Sequence, residues 1–405
     1  GRARVSELSR GRPSVRGALR RLAEKGLVRL EEERDVRSPQ GLPVPGAEGV
    51  VLTPDQQEVL GPVLAAVSAG GPQPLLLHGV TGSGKTEVYF RTIEAVLREG
   101  RGALVLVPEI ALTPLLVRAA SARFGETVSV LHSELSVGER HDQWWRIREG
   151  EARVVVGARS AVFAPVSDLG LIVVDEEHDS AYKQDESPRY HGRDVAVVRG
   201  QIEGCPVLLG SATPSVESQT NALKGKYTRL VLPERIGDRA LPVVEVVDRR
   251  LMIKAGGDPI LGPDLRSALA ARLDRREQAL VLLNRRGYAT SLLCRECGQE
   301  AICPNCSVSL TLHRGGSRAL CHYCGHDTPS PGVCPACRGV YLRLTGYGTE
   351  KVVEAVQAAV PEARVERLDR DRASRRGVLA GLLARFEAGE IDVLVGTQMI
   401  AKGHD

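Results

Sequence analysis

Eight consecutive residues, Gly79-Val80-Thr81-Gly82-Ser83-Gly84-Lys85-Thr86, have types and spacing that suit one chemistry. They complete the pattern G-x-x-x-x-G-K-T. Glycines let backbone N–H groups close around phosphates at a helix N-terminus, the lysine amine neutralises β/γ charge, and the threonine hydroxyl reaches magnesium. The run follows the apolar stretch Leu75–His78 and opens a helical stretch that continues to Glu99 before Gly100. A glycine-rich turn without a ligand would have no use for a lysine there. Gly79, Val80, Thr81, Gly82, Ser83, Gly84, Lys85 and Thr86 are therefore assigned to ATP, with Lys85 and Thr86 among the catalytic residues.

Further on, Leu171-Ile172-Val173-Val174 runs straight into Asp175-Glu176-Glu177-His178. An apolar strand ending in acids puts carboxylates at the carboxyl edge of a sheet, where doubly wound folds bind ligands. Asp175 is the expected Mg2+ ligand and Glu176 the expected base or orienter of the attacking water. Phosphoryl transfer depends on positioning and charge stabilisation more than on covalent chemistry. Asp-Glu-x-His after a phosphate loop is the signature of superfamily-two helicases and translocases.

Eight of the nine cysteines form four C-x2-C pairs: Cys294/Cys297, Cys303/Cys306, Cys321/Cys324 and Cys334/Cys337. Each turn aims two thiolates at one metal, and two turns complete a closed tetrahedral S4 site, so four turns imply two Zn2+. Disulfides disagree with regular knuckles in a cytosolic chain. Iron–sulfur ligation shares the S4 geometry. The five residues between Cys297 and Cys303 leave little room to fold back. The fourteen between Cys306 and Cys321 come close to a zinc-ribbon spacing. The expected arrangement is nested: Cys294, Cys297, Cys334 and Cys337 on one zinc, Cys303, Cys306, Cys321 and Cys324 on the other. His313, His322 and His326 are surplus by count, and Cys205, in an apolar stretch, is expected to be buried.

The elements that must position these groups can be traced along the chain. Short Val/Ile/Leu runs alternate with helical stretches: LLLH, ALVLVP, ARVVVG, LGLIVVDEE and CPVLLGS, then VVEVVD, ALVLLN, ARVERLD and IDVLVGT. Such runs are buried strands of parallel sheets covered by helices. Two series predict an α/β fold of two RecA-like doubly wound lobes, over 50–233 (ATP-binding) and 234–405, with a zinc-binding module inserted at 291–342. Residues 38–49 are a Pro/Gly linker. In 1–37, Ser14–Lys25 places Val15, Leu19, Leu22 and Ala23 on one helical face and Arg16, Arg20 and Arg21 around the other, and Gly26 stops it. Helix, glycine and the alternating LVRLEEE fit a partial winged-helix DNA-binding domain, and an amphipathic hairpin fits too.

At 405 residues the chain is long enough for two to three domains of roughly 150 residues. No stretch approaches the ~18 apolar residues of a membrane span, and GRARVSELSR has no signal core, so the expected compartment is the cytoplasm, with no membrane partner. Net charge is +4, but residues 1–29 carry +7, which leaves the remainder near −3. A local basic segment suits nucleic acid or a solvated arginine-rich terminus. Aromatics make up only 3%, so stacking positions must be few. Tyr182 and Tyr190 interleave with Lys183, Arg189 and Arg193 in SAYKQDESPRYHGRD, a candidate single-strand surface. A plain surface loop is the bland alternative. Trp144 and Trp145 suit helix packing at least as well as DNA.

Over residues ~50–405 the order of motifs resembles the primosomal replication-restart DNA helicases of the PriA family. Leu52-Thr53-Pro54-Asp55-Gln56 is similar to that family's leading motif, which implies that Gln56 reads adenine. Leu106–Thr113 (LVPEIALT) and Gly157-Ala158-Arg159-Ser160-Ala161 match positions where related motors grip the DNA backbone. Gly210-Ser211-Ala212-Thr213-Pro214 corresponds to the segment that couples ATP state to lobe movement. Asn284-Arg285-Arg286-Gly287-Tyr288 and Gly396–Gly403 end strands of the second lobe, and the resemblance implies that Arg285, Arg286, Gln398 and Lys402 face cleft or strand. The tyrosine segment is similar to the family's aromatic-rich loop linking DNA engagement to hydrolysis. The resemblance also implies 3′-to-5′ unwinding, recognition of stalled or abandoned forks and replication restart in a bacterial cytoplasm. Forked and single-stranded DNA, single-stranded DNA-binding protein and the primosome and helicase-loading proteins are the implied partners. A scaffold with a vestigial ATPase is opposed by the intact Lys85, Thr86, Asp175 and Glu176, and a motor that pumps duplex without unwinding is opposed by the cysteine module. The sequence ends at Asp405, before the arginine-finger segment of related motors, and lacks the family's N-terminal fork-binding domain, so weak or absent hydrolysis by this chain is expected.

Overall fold

The computed structural model describes residues 14–28, 51–108, 113–132, 135–237, 242–248, 260–283, 290–294, 296–297, 299–313, 317–321, 323–334, 336–344, 349–368 and 378–397. Seven strands form the first sheet: β1 (Pro74–Gly79), β2 (Gly102–Leu106), β3 (Val128–Leu131), β4 (Val154–Gly157), β5 (Leu169–Val174), β8 (Val207–Ser211) and β9 (Thr228–Leu232). Their order is β3-β4-β2-β5-β8-β1-β9, and every pairing is parallel.

Alternate strand residues feed two buried layers, as pleating requires. Leu75, Leu77, Val105, Leu171, Val173 and Leu208 pack with α2 (Pro54–Ala69) and α3 (Lys85–Arg98). Leu76, Leu104, Leu106, Ile172, Val174 and Leu209 pack on the opposite face with Ile147 of α5 (Val137–Arg148) and Ala196 of α6 (Gly192–Glu203). Helix α4 (Thr113–Phe124) lies between β2 and β3. β1, β2, β4, β5 and β8 coincide with expected apolar runs. β3 and β9 escaped the reading. Ser129 interrupts the short β3 and hydrogen-bonds Gln143 at 2.8 Å, while β9 is an edge strand with only Leu230 and Leu232 buried.

The second sheet is also parallel, in the order β10 (Ala279–Leu282), β17 (Val393–Gly396), β16 (Val365–Leu368). β17 serves two layers. Val393 and Val395 join α7 (Pro263–Asp274) and α8 (Thr349–Ala359), whereas Leu394 joins Leu382 of α9 (Val378–Glu387). The expected strand VVEVVD is corrected: residues 242–248 form no strand, and Val243, Val244 and Val246 are largely exposed. An apolar run without a neighbouring strand has no ladder to join.

The cysteine segment is a five-stranded antiparallel sheet, ordered β14 (Asp327–Pro329), β13 (Arg318–Leu320), β12 (Thr311–His313), β11 (Thr290–Cys294), β15 (Tyr341–Leu344). β11 pairs with β15 from Ser291↔Leu344 to Cys294↔Tyr341, so the two ends of the segment lie side by side, as in an insertion. In the N-terminal segment, α1 (Ser14–Glu24) ends at Gly26 with φ 68°. The expected strand after it from residue 29 onward, residues 1–13 and the linker 38–49 lie outside the described residues. No helix among the described residues is long and apolar enough to cross a membrane.

Candidate functional site

The loop Gly79–Gly84 joins β1 to α3, with Gly82 at φ 76° and Gly84 at φ 79°, conformations that favour glycine. A Cβ on Gly79 would lie 2.6 Å from Ser83 Oγ, and one on Gly84 would lie 2.2 Å from Gln56 Nε2. The loop thus closes as tightly as a phosphate cradle needs. Lys85 is buried and donates from Nζ to the Gly79 carbonyl at 3.0 Å. Ser83 Oγ is buried with no hydrogen-bond partner, a polar atom that an anion in the loop would satisfy. Residues Gly79 to Thr86 therefore fit a nucleotide polyphosphate.

Gln56 lies beside the loop. Its Nε2 donates to Ser83 O at 3.1 Å, and its Oε1 accepts from Thr53 N at 2.9 Å within the capping box of α2. One end of the amide thus braces the loop and the other caps α2, which holds Gln56 beside the cradle. A residue that the sequence reading missed, Arg235, lies over the loop. Ile236 N donates to Gly82 O at 3.0 Å, and the buried Arg235 Nε has no partner. No local pattern marked it, because the segment after β9 meets the loop only in the folded sheet.

Asp175 follows β5. Its strand is separated from β1 by β8, so the carboxylate reaches the loop across the end of β8. Tyr89 Oη, from α3, donates to Asp175 Oδ1 at 3.0 Å. Burial and the neighbouring Glu176 charge push the Asp175 carboxyl up to about 6, against the opposing Tyr89 hydrogen bond and Lys85 charge. Glu176 adopts φ 44°, a left-handed conformation uncommon outside glycine. His178 Nδ1 lies 3.5 Å from Glu176 Oε2 and 2.8 Å from Ser211 Oγ, and Ser211 Oγ accepts from Thr213 N at 3.0 Å. The acidic segment and Ser211-Ala212-Thr213 are thus joined through one imidazole. Glu177 is fully buried and accepts from Ser215 N, Ser215 Oγ, Ser218 Oγ and Arg193 Nη1 at 2.7 to 3.0 Å.

The tyrosine segment forms a small hairpin, β6 (Lys183–Gln184) with β7 (Tyr190–His191). Two expected DNA contacts are corrected. Tyr182 is fully buried, its hydroxyl 2.6 Å from Asp175 O and 3.0 Å from Leu106 O. Arg193 is buried because its guanidinium compensates Glu177. What remains is an open concavity of about 560 Å3 lined by Lys183, Gln184, Asp185, Arg189, Tyr190 and His191. Arg159 Nη1 donates to the carbonyls of Ala181 (3.1 Å) and Lys183, and its guanidinium lies 5.8 Å from the Tyr190 ring centre. Trp144 and Trp145 stack edge-on at 5.2 Å with Arg148 over both rings, half-buried on α5. Arg285, Arg286, residues 109–112 of LVPEIALT, Gln398 and Lys402 lie outside the described residues.

The eight module cysteines gather as expected, Cys294/Cys297/Cys334/Cys337 in one group and Cys303/Cys306/Cys321/Cys324 in the other. Within them Sγ pairs lie 3.4 to 3.8 Å apart. A zinc ion with Zn–S of about 2.3 Å places its sulfurs roughly 3.8 Å apart. The donor set therefore fits two Zn2+. The residues after three of the second cysteines, Ser307, Gly325 and Arg338, share φ values of 56°, 76° and 61°, the turn that folds each knuckle back. Cys205 is buried just before β8, and burial pushes its thiol up to about 11.

A doubly wound sheet with a phosphate loop and an Asp-Glu-x-His strand end is the helicase-like fold shared by superfamily-two helicases and translocases. Accordingly, a family model described as DEAD/DEAH box helicase matches residues 53–222, and one described as PriA DNA helicase Cys-rich region (CRR) domain matches residues 303–329. The chain is 45% identical over 402 residues to the replication restart protein PriA of Bacillus subtilis (strain 168), covering 99% of this chain and 50% of that protein. It is 43% identical over 412 residues to the protein of the same name from Synechocystis, covering 99% and 49%. With the Haemophilus influenzae protein it shares 45% over 329 residues, covering 81% and 45%. The chain belongs to the PriA family, and it spans about half the length of the curated relatives it matches.

Proposed function

We propose that this chain is the motor part of an ATP-dependent DNA helicase that unwinds 3′ to 5′, recognises stalled or abandoned replication forks and initiates restart by assembling a primosome. The observation that carries the reading is the convergence of Gly79–Thr86 and Asp175–His178 at the ends of β1 and β5, in a chain 45% identical to a replication restart protein. The domain bounds 1–37, 38–49, 50–233 and 234–405 with 291–342 inserted belong to the same proposal.

The chain's own residues take these parts. The Gly79–Thr86 backbone holds the phosphates of ATP, Lys85 leaves Gly79 O to meet their charge, and Thr86 and Asp175 hold Mg2+. Bound Mg2+ neutralises charge on the β and γ oxygens. Glu176 orients the attacking water, and His178 ties that carboxylate to Ser211 and Thr213. Lys183, Arg189, Tyr190 and Arg159 contact single-stranded DNA, with Arg285 and Arg286 from the second lobe. Single-stranded DNA-binding protein and helicase-loading proteins are the proposed partners, in a bacterial cytoplasm.

The test is nucleotide binding and hydrolysis by the full-length protein measured with no DNA, with single strand and with forked DNA, together with unwinding of duplexes carrying 3′ or 5′ tails. In the full-length protein, Lys85→Ala is expected to abolish unwinding while leaving fork binding within about two-fold. Hydrolysis that survives Lys85→Ala, or unwinding only from 5′ tails, would overturn the reading.

A further inference from the structure

The two halves of the nucleotide site do not sit on neighbouring strands. β1, which leads into the phosphate loop, and β5, which leads into Asp175, are separated by β8. Something must set the distance between them across the end of that strand. The side chain of Tyr89 spans it. Tyr89 stands one helical turn after Lys85 on α3, so both project from the same face towards the sheet. Its ring is fully buried and its hydroxyl donates to Asp175 Oδ1 at 3.0 Å. The phenol runs directly over Gly210 of β8, where an added Cβ would lie 1.6 Å from the hydroxyl oxygen. Glycine at 210 therefore leaves the passage through which the phosphate-loop helix reaches the acidic strand.

We infer that Tyr89 is a positioning residue for Mg2+: its phenol holds Asp175 Oδ1 and leaves Oδ2 turned to the metal, so that cation affinity is set from the phosphate-loop helix across Gly210. A phenol that merely filled space would need no hydroxyl there, since Phe packs equally well in an apolar layer. A carboxylate with one oxygen tethered has fewer orientations to lose when it takes a cation. The inference rests on the proposed role of Asp175 as a magnesium ligand.

The test uses the zinc-loaded 405-residue chain and a fluorescent ADP analogue titrated with MgCl2, comparing wild type, Tyr89→Phe and Asp175→Asn. Tyr89→Phe is expected to raise the Mg2+ concentration at half-effect about ten-fold, in line with loss of one hydrogen bond to a charged group. Its metal-free nucleotide affinity and thermal midpoint are expected to match wild type, and Asp175→Asn to lose the Mg2+ response altogether. A Tyr89→Phe titration that superimposes on wild type, with Asp175→Asn still unresponsive, would overturn the inference alone. If Asp175→Asn keeps the full response, the magnesium assignment itself falls. Should Tyr89→Phe melt below the assay temperature, Gly210→Ala is read in the same titration. It keeps the phenol but pushes it aside, so a rise in the Mg2+ midpoint supports the inference and an unchanged midpoint overturns it.

Discussion

At the residue scale, burial divides charged and aromatic groups that look alike in the sequence. Arg193 and Arg189 sit four positions apart in one basic, tyrosine-bearing segment, yet Arg193 is buried against Glu177 and Arg189 is exposed. Arg193→Ala would leave a buried carboxylate without its cation, and a cost of about 3–5 kcal/mol in denaturant unfolding is expected. Arg189→Ala should change stability by less than about 0.5 kcal/mol while weakening single-strand affinity and flattening its salt dependence. Equal stability losses in the two variants would contradict this division. Asp175 shows the same principle through pH. Burial raises its folded carboxyl from the ordinary 3.8 to about 6, so the fold favours the protonated form, and that contribution is complete below about 3.8 and is lost as pH rises from there through about 6. Asp175→Asn keeps a neutral group there and should be more stable than wild type at pH 8, by on the order of 1–2 kcal/mol, with the gap narrowed at about pH 5 and closing only towards about pH 4, the ordinary carboxyl value. Thermal melts of the two proteins across pH 5–8 check this, and a constant gap would count against it. The spacing of Gly79–Thr86 and Asp175–His178 was legible because each motif is local. The burial of Tyr182 and the contact of Tyr89 with Asp175 were not legible, because what a side chain touches across the sheet has no signature in its own segment.

At the element scale, legibility followed burial on both faces. β1, β2, β4, β5 and β8 announce themselves as unbroken apolar runs because helices cover them on both sides. β3 and β9 lie at the two edges of the sheet, where polar residues are tolerated, and their sequences VSVL and TRLVL fall below that signal. VVEVVD has the signal and no partner strand, so composition alone overcalled it. The knuckles are short elements whose turns are equally local, since four C-x2-C spacings fixed both metal groups. Their backbone adds a testable detail. Arg338 holds φ 61°, a conformation that costs a non-glycine residue roughly 1 kcal/mol, and its counterpart in the inner site is Gly325. Arg338→Gly should therefore stabilise the module by about 0.5–1 kcal/mol, seen as a higher chelator concentration at half-release of zinc. A lower midpoint would mean that the arginine side chain contributes more than its backbone costs.

At the scale of the whole molecule, the nucleotide site and the metal module draw on different sources of stability. Among the described residues, the contacts that build the phosphate loop, from Gln56 to Ile236, come from the first sheet, its helices and the segment just after β9. That sheet is buried between two apolar layers that include Leu75, Leu77 and Val173 on one side and Leu76, Leu104 and Ile172 on the other. The module has a far smaller core of Leu292, Ala301, Cys303, Leu310, Leu312, Ala319 and Cys321, and two of these seven are themselves metal ligands. With so little apolar area, ligation must supply most of the module's folding free energy, which for structural zinc sites is on the order of 10 kcal/mol or more. Metal analysis should return about two zinc ions per chain. Removing them with a strong chelator under reducing conditions should then unfold 291–342 and leave the first sheet intact. Hydrogen exchange would show amides of β11 to β15 losing protection while those of β1, β2 and β5 keep it, and binding of a fluorescent ADP analogue should persist within about two-fold. Loss of nucleotide binding together with zinc would mean that the module buttresses the first sheet through contacts beyond those described. Full protection of β11 to β15 after zinc release would mean instead that the small apolar core suffices by itself.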